Sequence, residues 1–190
     1  MIHFVFGVRR WTDCLNALAL LGISGVLWFA FAWQIVLNEL PCPLCLLQRV
    51  AFAMVGIGLM LNVSFGSRPA HYGIALLSTL AGMVSSARQV LLHIAPGDPG
   101  YGSPFFGMHF YTWALVAFFL LGLFIGGLLL LDQMKLKEAA NVPRSPGWLG
   151  KLAMYSFLAI VLVTVIATLL ECGVGPCPDN PTSYQWLPGR

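Results

Sequence analysis

Five long apolar segments limit what this chain can fold into. Each approaches or exceeds the roughly 20 residues that a helix needs to cross a hydrocarbon core of about 30 Å. The segments run approximately Leu15–Leu37, Leu46–Val63, Tyr72–Ile94, Tyr111–Leu131 and Leu152–Leu170. The short alternating strands typical of a membrane β-barrel are absent from the sequence. We therefore expect an all-α integral membrane protein.

The composition agrees with this expectation and excludes some functions. Of the 190 residues, 58% are hydrophobic and only 9% are charged, whereas soluble domains carry about 25% charged residues. No separate soluble domain of useful size is therefore expected. The net charge of +3 is small and its basic residues are scattered, which gives no support for nucleic-acid binding.

The basic residues predict the orientation of the helices. With a cytoplasmic N-terminus, the inner connectors hold seven Lys or Arg residues, and the outer ones hold none before the terminal Arg190. The inner residues are Arg9, Arg10, Arg68, Lys135, Lys137, Arg144 and Lys151. This asymmetry follows the positive-inside rule. Five spans then place the C-terminus on the outer side of the membrane.

Two pairs of cysteines fall on that outer side. Cys42 and Cys45 enclose a Pro-Leu dipeptide just before the second segment, and Cys172 and Cys177 follow the fifth. Disulfides persist on the oxidising face of a membrane. Three interpretations remain open for these pairs, namely a redox relay, structural disulfide clips and a four-thiolate zinc site.

The residues around the first pair favour redox chemistry. Pro43 keeps Cys42 out of a helix, so the second helix is expected to begin at about Leu44 or Cys45. A thiolate in the first turn of a helix is stabilised by the helix dipole, and Arg49 lies four residues further on the same face. We therefore expect Cys45 to be the thiol of lower pKa and Cys42 to be its more exposed partner.

Basic side chains inside the spans suggest an electron acceptor. Arg49 and Arg88 come from different segments at similar depth on the same side, and His93 follows at the outer end of the third segment. Charged residues within spans are candidates for a function. We expect Arg88 to be buried, about 9 Å of helix rise inside that end. Cationic donors on apolar walls suit a quinone, so these three residues are candidate cofactor-binding residues.

At three places the sequence resembles a known family. The stretches Pro41–Val50, Ala87–His93 and Phe106–Val116 resemble the bacterial disulfide bond formation protein B (DsbB) family, over about residues 10–132. The resemblance implies a four-helix transmembrane bundle in the bacterial inner membrane. It also implies electron transfer from a periplasmic thioredoxin-like thiol oxidase (DsbA-like) to ubiquinone or menaquinone. Cys42 and Cys45 would be the quinone-coupled pair, with Arg49 near the quinone.

The chain departs from the family in the position of its second pair. Members of the family carry this pair between the third and fourth helices, where this chain has a short connector without cysteine. A fifth transmembrane helix delivers Cys172 and Cys177 instead. We thus expect a DsbB-like bundle with its Cys-Pro-Leu-Cys loop over residues 1–132, a cytoplasmic loop over 133–151, and the fifth helix with a periplasmic tail over 152–190.

These observations predict a quinone-dependent thiol oxidase. Electrons would pass from a reduced protein partner to Cys172 and Cys177, then to Cys42 and Cys45, and finally to the quinone. The alternatives are a non-catalytic membrane protein with structural disulfides and a protein with a zinc site made of four cysteines.

Overall fold

A computed structural model of the chain describes residues 2–133 and 146–187, and the side chains of residues 11–132 and 146–187. Most of the loop predicted over residues 133–151 lies outside these ranges. Five helices occur in the described parts. They are α1 (Ile2–Leu37), α2 (Pro43–Phe65), α3 (Pro69–Leu92), α4 (Phe110–Gln133) and α5 (Trp148–Cys172).

All five helices are long and apolar enough to cross a membrane. The prediction of an all-α, multi-pass membrane protein is therefore confirmed. The predicted cytoplasmic N-terminus and periplasmic C-terminus stay predictions. Some of the charges behind them lie outside the described residues, namely Lys135, Lys137, Arg144 and Arg190, together with the side chains of Arg9 and Arg10.

Among the first four helices each packs on the next one in the sequence, whereas the described residues of α5 do not pack on α4. Helix α2 packs between α1 and α3, α4 packs on α3, and α5 packs mainly on α1 with a smaller contact to α2. Because successive helices run in opposite directions, the two cysteine pairs lie at the same end of the bundle. We call this the cysteine end.

Glycines allow the helices to approach closely, as is usual where membrane helices pack. A side chain at Gly56 would meet the ring of Phe157 on α5, and one at Gly82 would meet the ring of Phe118 on α4. A Cβ atom at Gly58 would lie 2.7 Å from the His71 carbonyl oxygen of α3. The second helix is therefore held near both α3 and α5.

Buried polar groups join three helices at the opposite end of the bundle. The Asn16 amide donates to the Tyr72 hydroxyl at 2.8 Å, and the Asn62 amide donates to the Asn16 side-chain oxygen at 3.1 Å. Such hydrogen bonds connect α1, α2 and α3 where water is excluded.

Gly58→Ala should destabilise the bundle by about 1–3 kcal/mol, because overpacking forces the backbone of α3 to move. Thermal unfolding in detergent measures this change. Gly73→Ala is the matched control, since a Cβ atom there meets nothing within 4 Å. Equal unfolding temperatures for the two variants would contradict the close packing of α2 on α3.

Candidate redox site

Cys42 and Cys45 form a disulfide at the first turn of α2, with their Cα atoms 4.9 Å apart. Cys42 is the N-cap residue, in an extended conformation, and its sulfur accepts the backbone N–H of Cys45 at 3.1 Å. Pro43 occupies the first helical position, where the missing N–H costs nothing. The helix thus begins slightly earlier than predicted, and its dipole acts on both sulfur atoms.

The expectation that Cys42 is the more exposed cysteine is wrong. Cys42 is 6% exposed, whereas Cys45 is half-buried and lines a cavity. The N-cap position turns the Cys42 sulfur back over the helix end, under the side chain of Gln89. Any exchange at Cys42 therefore requires a movement that uncovers it.

Gln89 of α3 contacts both sulfur atoms of this disulfide. Its amide nitrogen lies 3.2 Å from the Cys42 sulfur and 3.5 Å from the Cys45 sulfur. The Gln48 amide donates to the Gln89 oxygen at 2.8 Å and so fixes its orientation. No role was expected for Gln89 from the sequence, although it lies on the buried face of α3 together with Gly82 and Ser86.

A cavity of about 550 Å³ opens beside Cys45, between α1, α2 and α4. Its volume is within the range of sites for small molecules. Aromatic residues from α1, α4 and the connecting loop line it: Phe29, Trp33, Tyr101, Phe105, Phe110, Tyr111 and Trp113. The Trp33 ring lies 5.5 Å from that of Phe105 and 5.1 Å from that of Phe110, between ring centroids.

Arg49 is a charged residue on the wall of this cavity. One guanidinium nitrogen donates to the Gln34 side-chain oxygen at 2.7 Å, and another donates to the Ala30 carbonyl oxygen at 3.2 Å. Both acceptors belong to α1. The guanidinium is therefore held across the α1–α2 contact, with Cys45 one helical turn away.

The loop between α3 and α4 closes the cavity at the cysteine end. Ser103 donates to the Glu39 carboxylate through its backbone N–H and its hydroxyl. The Tyr101 hydroxyl donates to the Leu40 carbonyl oxygen at 2.7 Å. Burial and the nearby carboxylates of Glu171 and Glu39 raise the pKa of Tyr101. These contacts tie the loop to the segment that leads into Cys42.

Arg88 and His93 do not line the cavity. The expectation that Arg88 is buried is wrong, because it is exposed while its neighbour Gln89 takes the inward position on α3. His93 follows the last residue of α3 and turns toward the loop, where its ring lies 3.0 Å from the Asp98 carboxylate. The Gly100 backbone N–H and this ring lower the pKa of Asp98. The predicted roles of Arg88 and His93 toward a cofactor stay untested predictions.

The second pair, Cys172 and Cys177, also forms a disulfide, at the end of α5. Cys172 is buried and Cys177 is half-buried. The tail then folds back, and the backbone N–H groups of Gln185 and Trp186 donate to the last carbonyls of α5. The Tyr184 hydroxyl accepts from the Gln34 amide at 3.0 Å. The tail therefore reaches the residue that holds Arg49.

No group of three or more His, Cys, Asp or Glu side chains that could hold a metal occurs within the described ranges. Both cysteine pairs are closed as disulfides.

Comparison with known proteins gives this geometry a family context. A family model described as disulfide bond formation protein DsbB matches residues 10–101. The chain resembles the DsbB family. The match contains the Cys-Pro-Leu-Cys loop, Arg49 and Gln89, and it ends before α4, so it is shorter than the predicted range of 10–132. The predicted DsbB resemblance is confirmed over this part of the chain.

Curated relatives carry the same name. The disulfide bond formation protein B of Xanthomonas campestris is 37% identical over 86 residues, which is 43% of this chain and 50% of the relative. That of Hahella chejuensis is 33% identical over 85 residues, with 43% and 52% covered. A disulfide bond formation protein B 2 of Burkholderia lata is 34% identical over 76 residues, with 40% and 43% covered.

The matched part thus spans about half the length of these relatives. No solved structure matches the chain. Helix α5 and the tail with the second disulfide lie outside the matched residues.

Gln89→Leu should make the midpoint potential of the Cys42–Cys45 pair more negative. The amide donates toward both sulfurs, and donors of this kind stabilise thiolates of the reduced form. Equilibration of the purified protein with glutathione buffers measures the potential. Ser78→Ala, a change away from the core on the same helix, is the control, and a potential equal to that of the control would contradict the role of Gln89.

Proposed function

We propose that this protein is a quinone-dependent thiol oxidase that generates disulfides in a partner protein. The observation that carries the proposal is the Cys42–Cys45 disulfide at the wall of an apolar cavity that also contains Arg49. The resemblance to the DsbB family supports the same reaction class. In this proposal the cysteine end faces the periplasm and the helices cross the bacterial inner membrane.

The cavity suits the head of a membrane quinone. Aromatic and aliphatic walls match an apolar ring, and the Arg49 guanidinium provides donors for a carbonyl oxygen and a positive charge for the reduced form. Cys45 lines the same space, so a sulfur atom can approach the ring. A bound ubiquinone or menaquinone would accept the two electrons and two protons released when the Cys42 and Cys45 thiols form their disulfide.

The residues of this chain would carry the electrons to that point in two exchanges. A thiolate of the reduced partner, a thioredoxin-like oxidase (DsbA-like), attacks the Cys172–Cys177 disulfide and forms a mixed disulfide. The second thiolate of the partner then attacks the partner's own sulfur in the mixed disulfide and releases the cysteine of this chain. The partner is left with a disulfide, and Cys172 and Cys177 are left as thiols. These thiols reduce Cys42–Cys45 by the same chemistry. Since Cys42 is buried, the second exchange needs the tail or the covering loop to move.

Quinone reduction by a small dithiol provides the main test. Cys42→Ala or Cys45→Ala should abolish it, because neither variant can form the disulfide that releases the electrons. Arg49→Ala should raise the KM for quinone on the order of tenfold, equivalent to about 1.4 kcal/mol of lost binding. The controls are Cys14→Ala and Arg68→Ala, two exposed residues. Full activity without Cys42 or Cys45 would refute the proposed function.

The second disulfide has a separate test. Cys172→Ala should block oxidation of a thioredoxin-like protein partner and should spare oxidation of a small dithiol that reaches Cys42–Cys45 directly. The measurement compares the oxidation rates of the protein partner and of the small dithiol on the same preparation. Continued oxidation of the protein partner would show that Cys172–Cys177 is a structural clip.

A further inference from the structure

A buried carboxylate outside the DsbB-like region stands near the proposed quinone site. Glu171, the residue before Cys172 on α5, is 0% exposed. Its two carboxylate oxygens make no hydrogen bond to any residue that the structure describes. A charge that is buried without hydrogen-bond partners is strongly disfavoured, so the ionised form of this carboxylate depends on a nearby opposite charge.

The guanidinium of Arg49 provides that opposite charge. The two groups interact electrostatically, across the contact of α5 with α2. Arginine has five N–H donors, and the bonds to Gln34 and Ala30 use two of them. The Glu171 charge also acts on Tyr101, which lines the cavity. The electrostatic effect of the Glu171 charge therefore extends to the cavity that Cys45 lines.

The tail strengthens the link between α5 and Arg49. Gln34 accepts from Arg49 through its oxygen and donates to the Tyr184 hydroxyl through its nitrogen. The backbone N–H of Gln185 donates to the Glu171 carbonyl oxygen at 3.3 Å. The tail after the family match thus contacts both Gln34, which accepts from Arg49, and the backbone of Glu171.

We infer that Glu171 is a positioning residue for the quinone site, whose negative charge holds the Arg49 guanidinium at the cavity wall and offsets its positive charge. This inference rests on the proposed function, because it concerns how that site is completed. It assigns the fifth helix a part in quinone recognition in addition to carrying the second disulfide.

Glu171→Gln removes the charge and keeps the shape of the side chain. Its effect is measured on the KM for quinone and on the midpoint potential of Cys42–Cys45. The KM for quinone should rise several-fold with little change in kcat, because Arg49 is held less firmly. The midpoint potential of Cys42–Cys45 should become more positive, since loss of a nearby negative charge stabilises the thiolates of the reduced form. Glu171→Asp should return the potential toward the wild-type value.

Asp179→Asn is the matched control, because it removes an exposed carboxylate from the same tail. A midpoint potential in Glu171→Gln equal to that of this control would overturn the inference, whatever happens to the KM. The proposed function fails on a different result, namely full quinone reduction by Cys42→Ala or Cys45→Ala. The two failures are therefore distinguishable.

A second measurement applies if Glu171→Gln does not fold. Arg49→Ala leaves the Glu171 carboxylate buried without its counter-charge and should lower the thermal unfolding temperature. The double variant Arg49→Ala/Glu171→Gln should then unfold at a higher temperature than Arg49→Ala alone. An equal or lower temperature for the double variant would overturn the inference.

Discussion

The Arg49 charge, half-buried inside a membrane bundle, is the constraint on which the cysteine end depends. A guanidinium in a membrane-spanning helix needs acceptors or a counter-charge from the protein. Here α1 supplies two acceptors, through Gln34 and Ala30, and the Glu171 carboxylate of α5 adds an electrostatic interaction without a hydrogen bond. Arg49 and Cys45 line the same cavity.

The second constraint is the start of α2. Cys42 caps the helix with its own sulfur, Pro43 begins the first turn, and the disulfide to Cys45 closes that turn. The sulfurs are further contacted by Gln89, which Gln48 orients. In this arrangement one cysteine is enclosed by protein and the other lines the cavity. Such a division suits a pair that receives electrons on one side and releases them on the other.

Much of the fold was predictable because membrane helices have a strong signal in the sequence. The five apolar segments, the proline-limited start of α2 and the place of Arg49 near Cys45 all follow from local patterns. The exposure of Arg88 did not, because segment length gives depth along a helix and leaves the facing direction open. The buried series on α3 selects Gln89 and excludes its neighbour Arg88.

Contacts between distant segments could not be predicted from the sequence either. Gln34 and Tyr184 are separated by 150 positions, and nothing in either local pattern indicates their hydrogen bond. The burial of Cys42 also depends on a contact between distant segments, because Gln89 covers its sulfur from another helix. The role proposed for Glu171 arises in the same way, from the packing of α5 on the other helices.

The central claim is that the cavity beside Cys45 and Arg49 binds the quinone. Photo-crosslinking with an azido-quinone, followed by mass spectrometry of the labelled peptides, tests it most directly. We predict labels on the cavity faces of α1, α2 and α4, lost when excess unlabelled quinone competes. Labels confined to other surfaces, or labels that unlabelled quinone does not displace, would contradict the claim.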